Sequence, residues 1–205
     1  MALFKTSFFI APLFFILFSC SEPTNMLQPL NPSQPILAFG DSLTFGYGAD
    51  TNQSYPAQLS KLINRRVINA GVNGELSGEG LLRLEKLLDR YKPQLLLLCH
   101  GANDLLQKAD LEKMADNLKK MIKMAQDRDI QVLLIAVPNT SLLLTPLKQY
   151  QQVATQMNIV VENDLLADLL AQPELHSDLI HPNHLGYQKI AETIAQLLKK
   201  QGAIE

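Results

Sequence analysis

Residues 95–101 read Leu-Leu-Leu-Leu-Cys-His-Gly, and the run from Leu95 to Cys99 has no polar side chain. A strand with one face in water alternates apolar and polar residues. A short unbroken apolar run belongs to a strand buried on both faces, as in a parallel sheet covered by helices. The same kind of segment recurs on either side: Ile36 to Phe39 ending at Gly40, Val67 to Ala70 ending at Gly71, Val132 to Val137 stopping at Pro138, and Ile159 to Val161. Between them lie stretches with helical spacing. Ser54 to Asn64 tolerates Pro56 in its first turn, and Leu81 to Tyr91 follows the second run. Leu111, Met114, Ala115, Leu118, Met121, Ile122 and Ala125 mark one face of a long helix. Pro146 to Met157 reads as helical, and Tyr187, Ile190, Ala191, Ile194, Leu197 and Leu198 outline a final amphipathic helix. Strand and helix alternate about five times, so the fold class is α/β, open and doubly wound, with right-handed crossovers. Ligands of such sheets bind beyond the carboxyl ends of the strands, so the chemistry is expected just after each apolar run.

The rest of the composition fits one domain. Hydrophobic residues make up 47% of the 205 and charged residues 19%, enough apolar side chain for one core. A net charge of -2, with a pI near 6.1, and no basic stripe interleaved with aromatics give no reason to expect nucleic acid. The pairs Lys119-Lys120 and Lys199-Lys200 fall on helical patterns and read as solvated faces. Of the two cysteines, Cys99 lies among leucines, reads as a small buried hydrophobe, and has no base placed to activate it.

The N-terminus is a separate object. Ser7 to Phe18 is about a dozen almost wholly apolar residues after a single positive charge at Lys5. This length suits the core of a signal peptide and is short of the roughly 20 residues of a membrane span. The run closes on Leu17-Phe18-Ser19-Cys20, a small residue before a cysteine, which resembles a bacterial lipobox. That resemblance implies a lipidated Cys20 and attachment to a membrane of the cell envelope on its periplasmic side. With Ser21 and no Asp after the cysteine, the outer membrane is favoured. Residues 21–35 are rich in Pro, Asn, Ser and Gln and read as a flexible tether. The expected division is 1–20 signal peptide, 21–35 tether and 36–205 folded domain.

Four polar or glycine-rich clusters follow the apolar runs or precede the last helix: Gly40-Asp41-Ser42-Leu43, Asn69 to Glu75, His100-Gly101-Ala102-Asn103-Asp104, and Asp178 to Asn183. A serine hydroxyl needs a base to become a nucleophile. Ser42 stands in a turn straight after a buried strand, with Gly40 allowing the bend. Among the four histidines His181 stands out, because Asp178 precedes it by three residues. In a helical turn the two share a face, and the carboxylate then fixes the imidazole tautomer and stabilises its charged form. Pro182 and the cap residue Asn183 hold the segment at the helix entry. Backbone N–H groups of Ser42 and Gly74 and the Asn103 side chain are candidate donors to an oxyanion. A metal held by His176, His181, His184 and Asp178 is the rival reading of the last cluster. Pro182 and the Asp178–His181 spacing already account for His181 without one.

In order and content the four clusters resemble the SGNH, or GDSL, hydrolase superfamily, named for the Ser, Gly, Asn and His of its blocks. Here these are Ser42 in GDSLTFGYG, Gly74 in NAGVNGELSGEG, Asn103 in HGAND and His181 in DLIHPN. The resemblance runs from about Ile36 to Leu198. Within the superfamily it is similar to the bacterial arylesterases and multifunctional acyl-CoA thioesterase/lysophospholipases. It implies a flavodoxin-like three-layer α/β/α fold with a five-stranded parallel sheet. It also implies a Ser42–His181–Asp178 triad and an oxyanion hole of Ser42, Gly74 and Asn103, with neither metal nor organic cofactor. The pattern is departed from at Glu75, where Asp is common, and at Leu179, where Gly is common. The expected activity is hydrolysis of carboxylic esters or thioesters of small molecules or lipids. Leu142, Leu143 and Leu144, in the loop PNTSLLLTP, are candidates for an acyl groove. The alternatives are a carbohydrate O-deacetylase of the envelope and a non-catalytic lipoprotein retaining the fold. Chain-length dependence separates the first from a lipid esterase, and the complete set of reacting groups speaks against the second.

Overall fold

The computed structural model describes residues 26–139 and 144–205. The signal-like run with Cys20, and Leu142 and Leu143, lie outside the described residues. Five parallel strands form one sheet in the order β2-β1-β3-β4-β5. They are β1 (Ile36–Gly40), β2 (Val67–Gly71), β3 (Leu95–Cys99), β4 (Gln131–Ile135) and β5 (Val160–Glu162). This is the flavodoxin-like order that the resemblance implied. β1 sits in register between β2 and β3, with Gly40 opposite both Gly71 and Cys99. All of β1 and β3 is buried, and Leu95 to Leu98 have no exposed surface. At about 1.5–3 kcal/mol for each buried aliphatic side chain, these four leucines anchor the core.

Helices cover both faces. α1 (Ser42–Phe45) is a single turn after β1, and α2 (Tyr55–Leu62) packs against α8 (His184–Lys200) on one side. On the other side α5 (Leu111–Gln126) lies between α3 (Ser77–Tyr91) and α6 (Lys148–Met157). Two short helices, α4 (Ala102–Leu106) and α7 (Leu165–Leu170), escape the periodicity because neither presents two turns of a repeating face. α3 starts at Ser77, four residues before the expected Leu81. Glycines at 78 and 80 mask its first turn in the sequence, while the Glu79 carboxylate accepts from the Leu76 N–H at 3.0 Å and closes it. Gly40 serves closeness more than bending. A Cβ there would lie 1.9 Å from the Cys99 carbonyl oxygen and 2.5 Å from Thr44 Oγ1.

Residues 26–35, expected to be tether, lie against the domain. Leu27 and Leu30 are buried. Leu30 N–H donates to Ala203 O at 2.8 Å, and Arg65 Nη1 donates to Leu30 O at 2.8 Å. Gln131 exchanges two bonds with the Gln28 backbone, and Gln94 accepts from Asn31 N–H. Gln131 opens β4, Gln94 directly precedes β3 and Arg65 lies two residues before β2, so the strap closes the amino edge of the sheet. Two leucines in a polar stretch supply the burial that composition alone hid.

Candidate active site

The carboxyl edge gathers the four clusters. Asp41 caps α1, its Oδ1 accepting from Leu43 N–H at 3.1 Å, and this cap sets the turn on which Ser42 stands. Ser42 is 8% exposed. Its Oγ lies 3.0 Å from His181 Nε2, and His181 Nδ1 lies 2.8 Å from Asp178 Oδ2. A carboxylate can only accept, so Nδ1 carries the proton toward Asp178 and the Nε2 lone pair faces the serine hydroxyl. The three residues that the sequence singled out are thus brought into one hydrogen-bonded line.

The segment that carries Asp178 and His181 is a turn and not a helix. Asp178 Oδ1 accepts from the backbone N–H groups of Ile180 and His181, both at 2.9 Å. An aspartate folding its own chain over in this way brings residues three apart together without helical dihedrals. Asn183 caps α8 as expected, accepting from Leu185 N–H at 2.9 Å and Gly186 N–H at 3.1 Å. Burial pushes the Asp178 carboxyl up. The bond from Ile180 N–H, the two bonds from His181 and the His181 charge outweigh it and hold the group below its ordinary value. Tyr47 packs on the imidazole, ring centres 4.5 Å apart, and its carbonyl accepts from Tyr187 OH at 2.7 Å. The sequence reading did not single out Tyr47, although it lies inside the quoted GDSLTFGYG.

Gly74 has a φ of +74°, the left-handed region that favours glycine. A Cβ there would meet nothing within 4 Å, so this backbone faces open space. Asn103 Nδ2 donates to the Glu75 carbonyl at 3.1 Å, which fixes the amide and leaves its second N–H free. The Asp104 carboxylate joins the same two loops, accepting from Ser77 N–H at 2.8 Å and Ser77 Oγ–H at 2.7 Å. Glu75 pairs with Arg83, Nε at 2.5 Å and Nη2 at 2.6 Å, and Arg83 Nη2 also donates to the carbonyls of Ala70 and Gly40. The Arg83 guanidinium lies 4.1 Å over the Phe39 ring.

His176 does not join His181. Its Nε2 lies 3.1 Å from Leu169 O, turned toward α7. Among the described residues no group of three or more His, Cys, Asp or Glu side chains could hold a metal ion. Cys99 is buried, and burial and then the Asp41 charge push its thiol well above the ordinary value, as for an inert core residue.

An apolar cavity of ≈ 260 Å³ opens beside this hydrogen-bonded line. Leu43 and Pro182, the chain neighbours of Ser42 and His181, are in its wall, with Leu105, Val137, Leu166 and Ile180. Leu144 of the leucine-rich loop also lines it.

The sequence and structure are matched by known proteins. The GDSL-like lipase/acylhydrolase family model covers residues 38–189. An arylesterase of Vibrio mimicus is 31% identical over 179 residues, covering 82% of this chain and 90% of that protein. The thioesterase 1/protease 1/lysophospholipase L1 of Escherichia coli (strain K12) is 24% identical over 172 residues, covering 80% of this chain and 83% of that protein. Among solved structures, the psychrotrophic esterase EstA from Pseudoalteromonas sp. has a TM-score of 0.74 at 28% identity, covering 82% of this chain and 97% of that one.

Proposed function

Since this chain belongs to the GDSL-like lipase/acylhydrolase family and is a serine ester hydrolase, we propose that Ser42, His181 and Asp178 are its catalytic triad and that it cleaves carboxylic esters and thioesters of apolar acyl groups. The observation that carries the reading is the line Ser42 Oγ–His181 Nε2–His181 Nδ1–Asp178 Oδ2, with steps of 3.0 and 2.8 Å.

The hydrogen-bonded line supports the following reaction. Ser42 Oγ attacks the acyl carbonyl while His181 Nε2 takes the hydroxyl proton. The negative charge moves to the carbonyl oxygen, for which Ser42 N–H, Gly74 N–H and the free N–H of Asn103 are the candidate donors. The bond to the leaving alcohol or thiol breaks, and His181 delivers the proton to it. Water, deprotonated by His181, then attacks the acyl-serine and releases the acid and the free hydroxyl. Asp178 keeps Nδ1 protonated throughout and stabilises the transient imidazolium.

The acyl group would lie in the cavity beside Ser42. Its aliphatic walls favour an alkyl or aryl acyl group over a sugar, which supports an arylesterase- or lysophospholipase-like preference over a carbohydrate O-deacetylase. Acyl-CoA is a cytosolic thioester, and an envelope location would make lipid and other envelope esters the natural targets. That location rests on the 7–18 apolar run and Cys20. Cys20→Ser is expected to move the protein from the membrane to the soluble fraction, and an unchanged distribution would refute lipid attachment.

The deciding experiment assays the chain on p-nitrophenyl esters of increasing length beside Ser42→Ala. We expect turnover to peak beyond acetate and to fall in Ser42→Ala to a trace, with the melting temperature unchanged. Activity restricted to acetyl esters would favour the deacetylase. Activity surviving in Ser42→Ala would remove Ser42 from the reaction.

A further inference from the structure

Three loops supply the candidate oxyanion donors, and one side chain binds the backbone behind them. Arg83 projects from the second turn of α3 and is 26% exposed. Its Nε and Nη2 donate to the two oxygens of the buried Glu75 carboxylate at 2.5 and 2.6 Å. Nη2 also donates to Ala70 O at 2.8 Å and to Gly40 O at 3.2 Å. The guanidinium lies over the Phe39 ring, and His100 Nε2 reaches the same carboxylate from the core at 3.0 Å.

These contacts reach every loop that bears a donor. Gly40 ends β1, two residues before Ser42. Ala70 lies near the end of β2, four residues before Gly74. Glu75 follows Gly74 directly, and its own carbonyl accepts from Asn103 Nδ2 at 3.1 Å. The first turn of α3 is tied to the Asn103 loop as well. Ser77 N–H and Oγ–H donate to the Asp104 carboxylate, and Asn117 Nδ2 donates to Ser77 Oγ at 3.0 Å. Beyond Gly40 and Gly71 the pairing of β1 with β2 ends in one bond, Val72 N–H to Gly40 O at 3.0 Å. Arg83 grips that carbonyl and its neighbour where the ladder stops.

The chemistry of the guanidinium suits this place. Carboxylate and carbonyls only accept, so the group between them must only donate. Nη2 has two hydrogens for three acceptors, so one hydrogen is shared, and Nε supplies the second bond to Glu75. A planar fork fixes these directions together, whereas the ammonium of a lysine would match the Glu75 charge without a plane to hold.

We propose that Arg83 is a positioning residue for the reaction: bound at once to Glu75, Gly40 and Ala70, it holds the Ser42 turn, the Gly74 backbone and the Asn103 amide in one fixed arrangement. The inference rests on the donor roles given to Ser42, Gly74 and Asn103 under the proposed function. Arg83 never touches the substrate. An ion pair that served folding alone would lower stability on removal and leave the turnover of folded protein unchanged.

The test uses the full chain. kcat and KM are read on p-nitrophenyl butyrate, and inhibition is read with butylboronic acid, whose adduct on a serine hydroxyl mimics the tetrahedral charge of the reaction. Arg83→Lys keeps the positive charge beside Glu75 and loses the fork. It is expected to lower kcat at least tenfold, with KM within about twofold of the wild type. The boronate inhibition constant should rise by about the same factor as kcat/KM falls. Arg83→Met should lower kcat further, and it also costs stability because the buried Glu75 carboxylate loses its cation. If Arg83→Met does not fold, Arg83→Lys decides. Wild-type kcat in folded Arg83→Lys would overturn the proposal, as would a loss confined to KM or a fall in kcat with boronate binding unchanged. Turnover surviving in Ser42→Ala would instead overturn the site on which it rests.

Discussion

The two edges of the sheet are finished in opposite ways. At the amino edge the strap 26–35 seals the strand ends: Leu27 and Leu30 are buried, and Arg65, Gln94 and Gln131 bond its backbone. At the carboxyl edge the backbone opens at Gly74, an apolar cavity stands beside Ser42, and buried acceptors at Asp41 and His100 lack partners. The strands between them are the same five. A parallel sheet brings all its strand ends to two edges, and here one edge is covered by a bonded strap and the other keeps open backbone and a cavity for chemistry. Stability and function are therefore expected to separate by edge.

The separation breaks most visibly at the carboxyl edge. Asp178→Asn should lower kcat/KM by about a hundred- to ten-thousandfold, because an amide can donate to Nδ1 and leave the wrong tautomer facing Ser42. Half of this carboxyl's work is folding its own turn through Ile180 and His181 N–H. Asn keeps that acceptor, so the melting temperature should hold. A loss below tenfold would separate Asp178 from the catalytic line. Asn103→Ala should cost about a hundred- to a thousandfold in kcat, and near-normal turnover would free Asn103 of its donor role. At the amino edge the effect should reverse. Leu30→Ala should destabilise the domain by about 2–4 kcal/mol in urea unfolding while kcat stays within about twofold. A fall in kcat there would couple the two edges.

Much of this arrangement is legible in the sequence, and the limits have physical causes. The apolar runs mark the five strands: β1 and β3, covered by helices on both faces, are wholly buried and carry no polar side chain, whereas the edge strand β2 is only partly buried and carries the exposed Asn69. The hydrogen-bonded line through Asp178 and His181 was legible because the two residues are close in the chain. The helical turn expected between them was wrong in form, since an Asx turn and a helical turn share that spacing. The strap was missed because two buried leucines are too few to outweigh a polar stretch. The network under the site was missed for a different reason. Glu75, Arg83 and His100 lie on three separate segments, and no spacing relates them. The one local signal was a histidine directly after four buried leucines and a cysteine, where water cannot reach it.

The smallest predicted effect lies at Asp41, which belongs to both ledgers. Its carboxyl is held above the ordinary value of 3.8, first by burial, against the pull of His100, the Leu43 and Ala102 amides and His181. A folded value raised above the unfolded one contributes stability that is fully present below pH 3.8 and is lost as the pH rises through the folded value. Glu75 and Asp178 have the opposite sign. Their folded values are depressed despite burial, so their contribution is present above the ordinary carboxylate range and lost as the pH falls through the folded values. Asp41→Asn keeps an acceptor for Leu43 N–H and deletes the buried charge. Its urea midpoint at pH 7 should equal or exceed that of the wild type, and the difference should shrink toward zero below pH 3.8, while kcat falls several-fold. If Asp41→Asn is instead clearly less stable at pH 7, the combined pull of His100, the Leu43 and Ala102 amides and His181 outweighs the desolvation of the charge. The carboxyl edge would then be held together by the same group that tunes it, and the division of stability and function between the two edges would fail at this residue.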